Sequence, residues 1–158
     1  RGKEVRNCAN HLFALGNTSV FIGDSLPSYE ELKNLSQLRQ DAIELRIKLK
    51  VYDKIIEELL KQVYSSRIDE ARDVIRAAES RLILDKNKVK PLNTVDKNIG
   101  DIAIDNVDYG RYMGELQIIK VNQKADIRTN VVASILQEDI HLLKYIKGGK
   151  KFYFSIVN

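Results

Sequence analysis

Four arginines lie within fifteen residues in segment 67–81, a dense set of cationic side chains. They are Arg67, Arg72, Arg76 and Arg81, and acidic residues are interleaved with them. The planar guanidinium group matches carboxylate and phosphate oxygens through two parallel hydrogen bonds, so arginine is favoured over lysine at ordered anion sites. Two interpretations are open. The arginines pair with neighbouring Asp and Glu side chains and tie a loop to the fold, or they form a pocket that binds an anion.

A second polar stretch, residues 100–117, combines turn-forming and aromatic residues. Asn106 and Gly110 suit turn conformations, and apolar residues flank them on both sides. The pattern predicts strand, turn, strand. A long hairpin would account for it, although so many polar and aromatic groups near one turn also suit the rim of a binding site.

Metal and cofactor chemistry finds little support in the sequence. Cys8 and His11 could supply half of a metal site, but the second histidine, His141, lies in a different predicted helix. Gly148 and Gly149 follow a helix instead of opening one, so they do not form a phosphate-binding loop. We therefore expect neither a metal nor an organic cofactor. Spacing alone identifies no pair of catalytic carboxylates among the 22 acidic residues.

The composition is that of one globular domain or slightly more. The 158 residues are 44% hydrophobic and include 26 basic and 22 acidic side chains, a net charge of +4. Both signs are mixed along the chain without a basic block, so we expect no nucleic-acid partner. No apolar run reaches the roughly 18 residues of a membrane span, so we expect no membrane partner. The single cysteine favours a reducing, cytoplasmic setting.

Residues 1–40 show the pattern of a parallel α/β unit. A first helix is predicted with an apolar face of Val5, Cys8, Ala9, Leu12, Phe13 and Leu15. The apolar run 20–22 resembles a strand that is buried on both faces, and Ser28 with Glu31 forms a capping box for a second helix. The apolar stripe of that helix is Leu32, Leu35 and Leu38. One strand cannot form a parallel sheet, so we expect this segment to pack against another structure or to belong to a truncated α/β domain.

The pattern changes at Asp41. Apolar and charged residues alternate over 43–51, as in a half-buried strand, and Asp53 can cap a helix over 55–63. We expect residues 64–81 to be irregular and residues 85–100 to form a loop. Further strands are predicted at 101–105, 111–121, 128–135 and 151–157, and a helix at 138–146. The fold class predicted is α+β, mainly β: a small, mostly antiparallel barrel with two helices.

The two polar stretches and three shorter motifs resemble the C-terminal part of the MupG-type 6-phospho-N-acetylmuramidase family. The shorter motifs are residues 11–16 (HLFALG), 20–24 (VFIGD) and 128–132 (RTNVV). They occur in the right order, and the resemblance covers almost the whole chain. It implies that residues 41–158 form a cyclophilin-like β-barrel domain. Residues 1–40 would be the final elements of a truncated (β/α)8 barrel.

The family that the chain resembles acts on a disaccharide inside the cell, during cell-wall recycling. The bond it cleaves joins N-acetylmuramic acid 6-phosphate to N-acetylglucosamine. The resemblance implies that the chain is the C-terminal portion of such a glycosidase, that its second domain helps to form the substrate cleft, and that an N-terminal barrel is its partner. Catalytic groups of such barrels gather at the ends of all eight strands, so we expect this chain alone to be inactive. The alternative is a non-catalytic ligand-binding or structural β-barrel module.

The implied substrate carries two anionic groups on one sugar, a 6-phosphate and a lactyl carboxylate, so its site needs cationic donors. The candidate donors are Arg76, Arg81 and Arg111. The candidates that would orient them or bind hydroxyl groups are Glu79, Ser80, Asn106 and Tyr109. Asp24, directly after the predicted strand, is the candidate at the barrel mouth. No residue is assigned a catalytic role.

Overall fold

The computed structural model of the chain describes residues 4–23, 26–83 and 89–157. Its α-helices are α1 (Val5–Ala14), α2 (Tyr29–Ser36), α3 (Lys54–Leu60) and the short α4 (Ser80–Ile83). Its strands are β1 (Ala42–Leu49), β2 (Val63–Ser65), β3 (Val74–Arg76), β4 (Asp101–Asp105), β5 (Leu116–Ile119), β6 (Thr129–Ile135) and β7 (Lys151–Ile156). A first 3₁₀ helix spans Val107–Tyr112 and a second spans Gln137–Tyr145. The fold is therefore mixed α+β and mainly sheet, as the sequence predicted.

The strands form one curled sheet in the order β2-β7-β1-β6-β4-β5-β3. β1 and β7 run parallel, and the other neighbouring pairs are antiparallel. The sheet curls so far that its two outer strands meet at a bridge between Ser66 and Ala77. Two backbone hydrogen bonds hold this seam, from the Arg67 N–H to the Arg76 carbonyl and from the Ala78 N–H to the Ser65 carbonyl, both 2.9 Å.

The main core fills the inside of the curl. Ile43, Leu45 and Ile47 of β1 are fully buried, because alternate residues of a strand point to the same face. They pack with the buried face of α3 and with aromatic side chains of β2 and β7. Those partners are Ile56, Leu59, Leu60, Tyr64, Phe152 and Phe154. Full burial of each large apolar side chain stabilises the fold by roughly 1.5–3 kcal/mol.

Two helix starts form as the sequence predicted, because their signals are local. The Ser28 Oγ accepts from the Glu31 N–H at 3.2 Å, and the Glu31 carboxylate accepts in return from the Ser28 N–H at 2.7 Å. Asp53 accepts from the backbone N–H groups of Ile55 and Ile56 at 2.9 and 3.1 Å. Each cap pairs helical N–H groups that would otherwise lack a partner.

The prediction of a doubly buried strand at 20–22 is wrong. These residues adopt no regular structure, and Phe21 is 90% exposed. A strand needs a neighbour to pair its backbone groups, and the described residues supply none here. The predicted face of α1 is also partly wrong, because Cys8, Leu12 and Leu15 are exposed while Asn10 and Ala14 are buried.

The prediction that segment 64–81 is irregular is also wrong. It contains most of β2, all of β3 and the start of α4. The predicted strand at 111–121 is confirmed only over Leu116–Ile119, because residues 111–112 belong to the first 3₁₀ helix and a turn follows at 113–114. The helix predicted at 138–146 is present as the second 3₁₀ helix, one residue earlier at each end.

Helix α1 is tied to the sheet through the backbone of β1. Asn10 donates to the Glu44 carbonyl at 2.8 Å and accepts from the Glu44 N–H at 2.9 Å. Arg6 forms two hydrogen bonds with the buried Glu44 carboxylate at 2.8 and 2.5 Å. Asn10 therefore satisfies backbone groups of β1 at a point where no strand of the sheet pairs with that edge.

Candidate functional site

An open groove of about 550 Å³ lies between the β3–α4 connection and the turn that joins β4 to β5. Three arginines, Arg67, Arg81 and Arg111, line it together with one carboxylate, Glu115. Leu82 and Met113 add apolar surface. We call this site the arginine groove. It brings together the two polar stretches that the sequence singled out.

Arg81 is held in the groove by the buried residue before it. Ser80 is fully buried, and its Oγ accepts from the Leu116 N–H at 3.0 Å, so the start of α4 is fixed to β5. Arg81 donates to the carbonyl of Arg111 across the groove. Its guanidinium also lies 5.6 Å from the centre of the Tyr112 ring. The side chain is therefore ordered mainly by neutral groups.

Arg111 is placed by the turn between β4 and β5. The fully buried Asn106 accepts from the Asp108 N–H at 3.0 Å and begins the first 3₁₀ helix. Gly110 supplies the positive φ of +60° that redirects the chain just before Arg111. The guanidinium lies 4.8 Å from the Tyr112 ring centre and donates to the Tyr112 hydroxyl at 2.9 Å. Among the described residues, no carboxylate lies within 4 Å of Arg111.

Arg67 and Glu115 are groove residues that were not among the predicted site residues. Arg67 forms a bidentate pair with Asp69, with both hydrogen bonds at 2.9 Å. These bonds hold the pKa of Asp69 below its usual range. The Glu115 side chain is only 6% exposed. Its Oε2 lies 4.0 Å from Nη1 of Arg67 and 3.9 Å from Nη1 of Arg81. Arg67 belongs to the arginine-rich segment and Glu115 to the second polar stretch, where the sequence marks it only as a possible ion-pair partner of the arginines.

The remaining predicted residues lie outside the groove or support its backbone. Arg76 donates to the carbonyl and the carboxylate of Asp69 at 2.6 and 2.9 Å. Glu79 accepts from the Ser65 N–H at 2.9 Å. Tyr109 contacts Tyr112 edge to face, and Arg128 lies 4.3 Å from its ring centre. Ser80 and Asn106 pair with backbone groups as described above. Asp24 lies outside the described residues.

The Cys8–His11 pair lies far in sequence from the groove and beside the other histidine. The rings of His11 and His141 are 4.9 Å apart, and Nε2 of His11 lies 3.0 Å from the Tyr145 hydroxyl. Cys8 is exposed. Within the described ranges, no three His, Cys, Asp or Glu side chains are grouped so that they could hold a metal ion. No helix there is long and apolar enough to cross a membrane.

The groove is suited to binding an anion. Arg111 lacks a carboxylate partner among the described residues, and Arg81 is beyond hydrogen-bond distance of Glu115. Their guanidinium groups can therefore donate to phosphate or carboxylate oxygens in the groove. Of the described residues that line the groove, one, Glu115, is acidic.

Several solved structures are similar to this chain, and two of them are about a quarter identical to it. The crystal structure of an uncharacterized B. cereus protein is 27% identical with a TM-score of 0.88, and the match covers 98% of this chain and 45% of that one. The crystal structure of a conserved protein of unknown function from a locus in Enterococcus faecalis is 26% identical with a TM-score of 0.67, covering 99% of this chain and 42% of that one. The chain thus spans less than half the length of either protein. No protein with curated function matches it.

A family model provides the assignment that these neighbours leave open. The model described as "6-phospho-N-acetylmuramidase, C-terminal" matches residues 43–155, which is most of the chain and includes the curled sheet except for its terminal residues Ala42 and Ile156. The match includes both polar stretches and the whole arginine groove. The chain belongs to the 6-phospho-N-acetylmuramidase C-terminal family.

Proposed function

We propose that this chain is the C-terminal part of a 6-phospho-N-acetylmuramidase and that its arginine groove binds an anionic group of the substrate. The substrate would be N-acetylmuramic acid 6-phosphate linked to N-acetylglucosamine, cleaved inside the cell during cell-wall recycling. Membership of the family supports the substrate class. The groove supports a direct role for this domain in binding the 6-phosphate or the lactyl carboxylate.

The observation that carries the proposal is the difference between two groove arginines, Arg81 and Arg111, and the other arginines of segment 67–81, which include the groove residue Arg67 with its Asp69 pair. Arg72 and Arg76 are each hydrogen-bonded to an aspartate at 2.7–3.0 Å. Arg81 and Arg111 instead donate to a carbonyl and a hydroxyl. A guanidinium that lacks a hydrogen-bonded carboxylate keeps most of its capacity to bind an incoming anion.

The domain division belongs to the same proposal. Residues 41–158 would form a cyclophilin-like barrel, and residues 1–40 would be the last elements of a (β/α)8 barrel that supplies the catalytic groups. Ala9, Phe13 and Leu38 form a small apolar cluster apart from the main core, which supports a separate origin for the first segment. Phe21 and Leu26, each 90% exposed, are suited to contact with such a partner domain.

Binding of N-acetylmuramic acid 6-phosphate, which carries both anionic groups, tests the groove when it is followed by titration calorimetry. The Arg81→Ala and Arg111→Ala variants are expected to weaken binding by about tenfold or more, because each removes a charge-assisted donor. Arg72→Ala is the matched control, because its side chain is 91% exposed and lies outside the groove. Equal affinity in wild type and in all three variants would contradict the proposed anion site.

A structural β-barrel module remains the second candidate, favoured by the internal ion pairs of Arg67, Arg72 and Arg76. Under that hypothesis Arg81 and Arg111 serve the fold alone. Their alanine variants would then lose several kcal/mol of unfolding free energy, as measured by urea titration, while phosphate affinity stayed the same. Unchanged stability with weakened binding supports the enzyme-domain proposal instead.

A further inference from the structure

Glu115 places a buried carboxylate oxygen without a hydrogen bond at the wall of the arginine groove. Its Oε2 is shielded from solvent and has no hydrogen-bond partner among the described residues. The two nearest cations, Arg67 and Arg81, stand 4.0 and 3.9 Å away, too far for a hydrogen bond. Buried polar atoms nearly always form hydrogen bonds, so a buried carboxylate oxygen without one, beside a binding groove, needs an explanation.

The backbone fixes the position of this carboxylate. The Glu115 N–H donates to the Tyr112 carbonyl at 3.0 Å, and the Glu115 carbonyl accepts from the Asp105 N–H at 3.1 Å. Glu115 therefore stays in place, while the arginines in front of it can move. Their side chains are 34% and 42% exposed for Arg67 and Arg81, and long side chains of this kind change rotamer readily.

We propose that Glu115 is a specificity-determining residue of the arginine groove, and that the groove selects phosphorylated sugars that present a hydrogen-bond donor beside the phosphate. This inference rests on the proposed function. The phosphate pairs with Arg67 or Arg81, and Oε2 then accepts a hydrogen bond from a hydroxyl or amide N–H of the same ligand. Each gap of about 4 Å between an arginine nitrogen and Oε2 fits a bridging hydroxyl about 2.8 Å from both atoms.

The same carboxylate disfavours anions that carry no donor. A simple phosphate in the groove is repelled by the negative charge of Glu115, and Oε2 stays without a hydrogen-bond partner. A site built to accept a hydrogen bond rejects ligands that lack the donor far more strongly than an apolar site rejects a size change. Glu115 therefore separates sugar phosphates from inorganic phosphate and simple monoesters.

Calorimetric titration of the 158-residue chain with two probes tests this inference. The probes are N-acetylglucosamine 6-phosphate and methyl phosphate, which share the monoester charge but differ in neighbouring donors. We expect wild type to bind the sugar phosphate at least about tenfold more tightly. Glu115→Met removes the acceptor at similar volume and should bring the ratio of affinities close to one. Glu115→Gln keeps a neutral acceptor and should give an intermediate ratio, with methyl phosphate bound more tightly than by wild type.

The outcomes separate this inference from the proposed function. A wild-type ratio near one, or an unchanged ratio in Glu115→Met, overturns the role of Glu115 and leaves the anion site standing. Failure of wild type to bind either probe overturns the role of Glu115, and failure to bind N-acetylmuramic acid 6-phosphate as well overturns the anion site. Glu58→Met, at an exposed position on α3, is the control and should keep the wild-type ratio. Thermal unfolding of each variant checks that it is folded. If Glu115→Met does not fold, Glu115→Gln, which is nearly identical in shape to the wild-type side chain, still tests the role of the carboxylate.

Discussion

Asp105 is a buried carboxylic acid on β4, next to β5, which begins one residue after Glu115. Its side chain accepts from the Thr129 hydroxyl at 3.0 Å and from the Gln117 amide at 3.4 Å. Burial raises the pKa of Asp105 to about 7, and the nearby Glu115 charge adds to the effect, against the opposing influence of the Thr129 hydrogen bond and Lys97. The folded chain therefore holds the proton on this group more tightly than the unfolded chain does.

This raised pKa predicts how stability changes with pH. A carboxyl group whose folded pKa lies above its unfolded value of 3.8 contributes stability that is complete below about pH 4 and is lost as the pH rises through about 7. Replacement by Asn removes the titration, so the stability of Asp105→Asn relative to wild type should rise by roughly 2–4 kcal/mol between pH 4 and pH 8. Urea unfolding at several pH values measures this difference. Asp108→Asn, at an exposed position, is the control, and a flat difference for Asp105→Asn would contradict the burial argument.

Ser80 shows how a predicted ligand residue can be needed for the fold instead. Its hydroxyl pairs with the Leu116 N–H in a fully buried position. Ser80→Ala leaves that N–H without a partner and should lower the unfolding free energy by about 1–3 kcal/mol. Chemical denaturation measures the loss, with Ser36→Ala on the exposed end of α2 as control. Weakened sugar-phosphate binding by folded Ser80→Ala, without loss of stability, would assign the hydroxyl to the ligand.

The sequence predicted part of the groove because composition marks arginine-rich segments and turns. It identified Arg81, Arg111 and the turn residue Asn106. It missed Glu115, because the position of that carboxylate depends on the pairing of β5 with both β3 and β4. A one-residue change in that register would move the side chain to the other face of the sheet, and no local signal specifies the register.

Among the elements, those with local signals were predicted and those that depend on partners were not. The caps at Ser28 and Asp53 and the alternation in β1 arise from neighbouring residues, so they could be recognised in the sequence. β2 and β3 are three residues long, too short for a period to be visible, and they exist because β7 and β5 pair with them. The run 20–22 is the converse case, since an apolar sequence forms no strand without a partner.

Asn10 is the contact that decides how firmly α1 holds to the sheet. Asn10→Ala leaves the N–H and the carbonyl of Glu44 without partners and should lower the unfolding free energy by about 2–4 kcal/mol. Hydrogen exchange should show faster exchange for the Glu44 amide and for α1. Asn7→Ala, on the same helix but at a more exposed position, is the control. Unchanged exchange in Asn10→Ala would show that other contacts hold α1.

For the whole molecule, we predict that the 158-residue chain does not hydrolyse the phosphorylated disaccharide. The acid and base of such a reaction must be held on both sides of the scissile bond, and the groove offers one carboxylate among the described residues that line it. Release of N-acetylglucosamine from the disaccharide measures turnover. A longer family member that includes the proposed N-terminal barrel should be active under the same conditions. Turnover by the short chain above a buffer blank would contradict the assignment of catalysis to the barrel.

The β-bridge between Ser66 and Ala77 also affects whether copies of the chain can associate with one another. An outer strand of an open sheet exposes unpaired N–H and carbonyl groups that can template a strand from another molecule. In this chain the ends of β2 and β3 pair with each other, and two backbone hydrogen bonds join them at the seam. A single Ala78→Pro substitution would remove the N–H that donates to the Ser65 carbonyl and so weaken the pairing of the two outer strands. The two freed edges would then be open to other copies of the chain, so a variant that still folds locally could form oligomers or fibres.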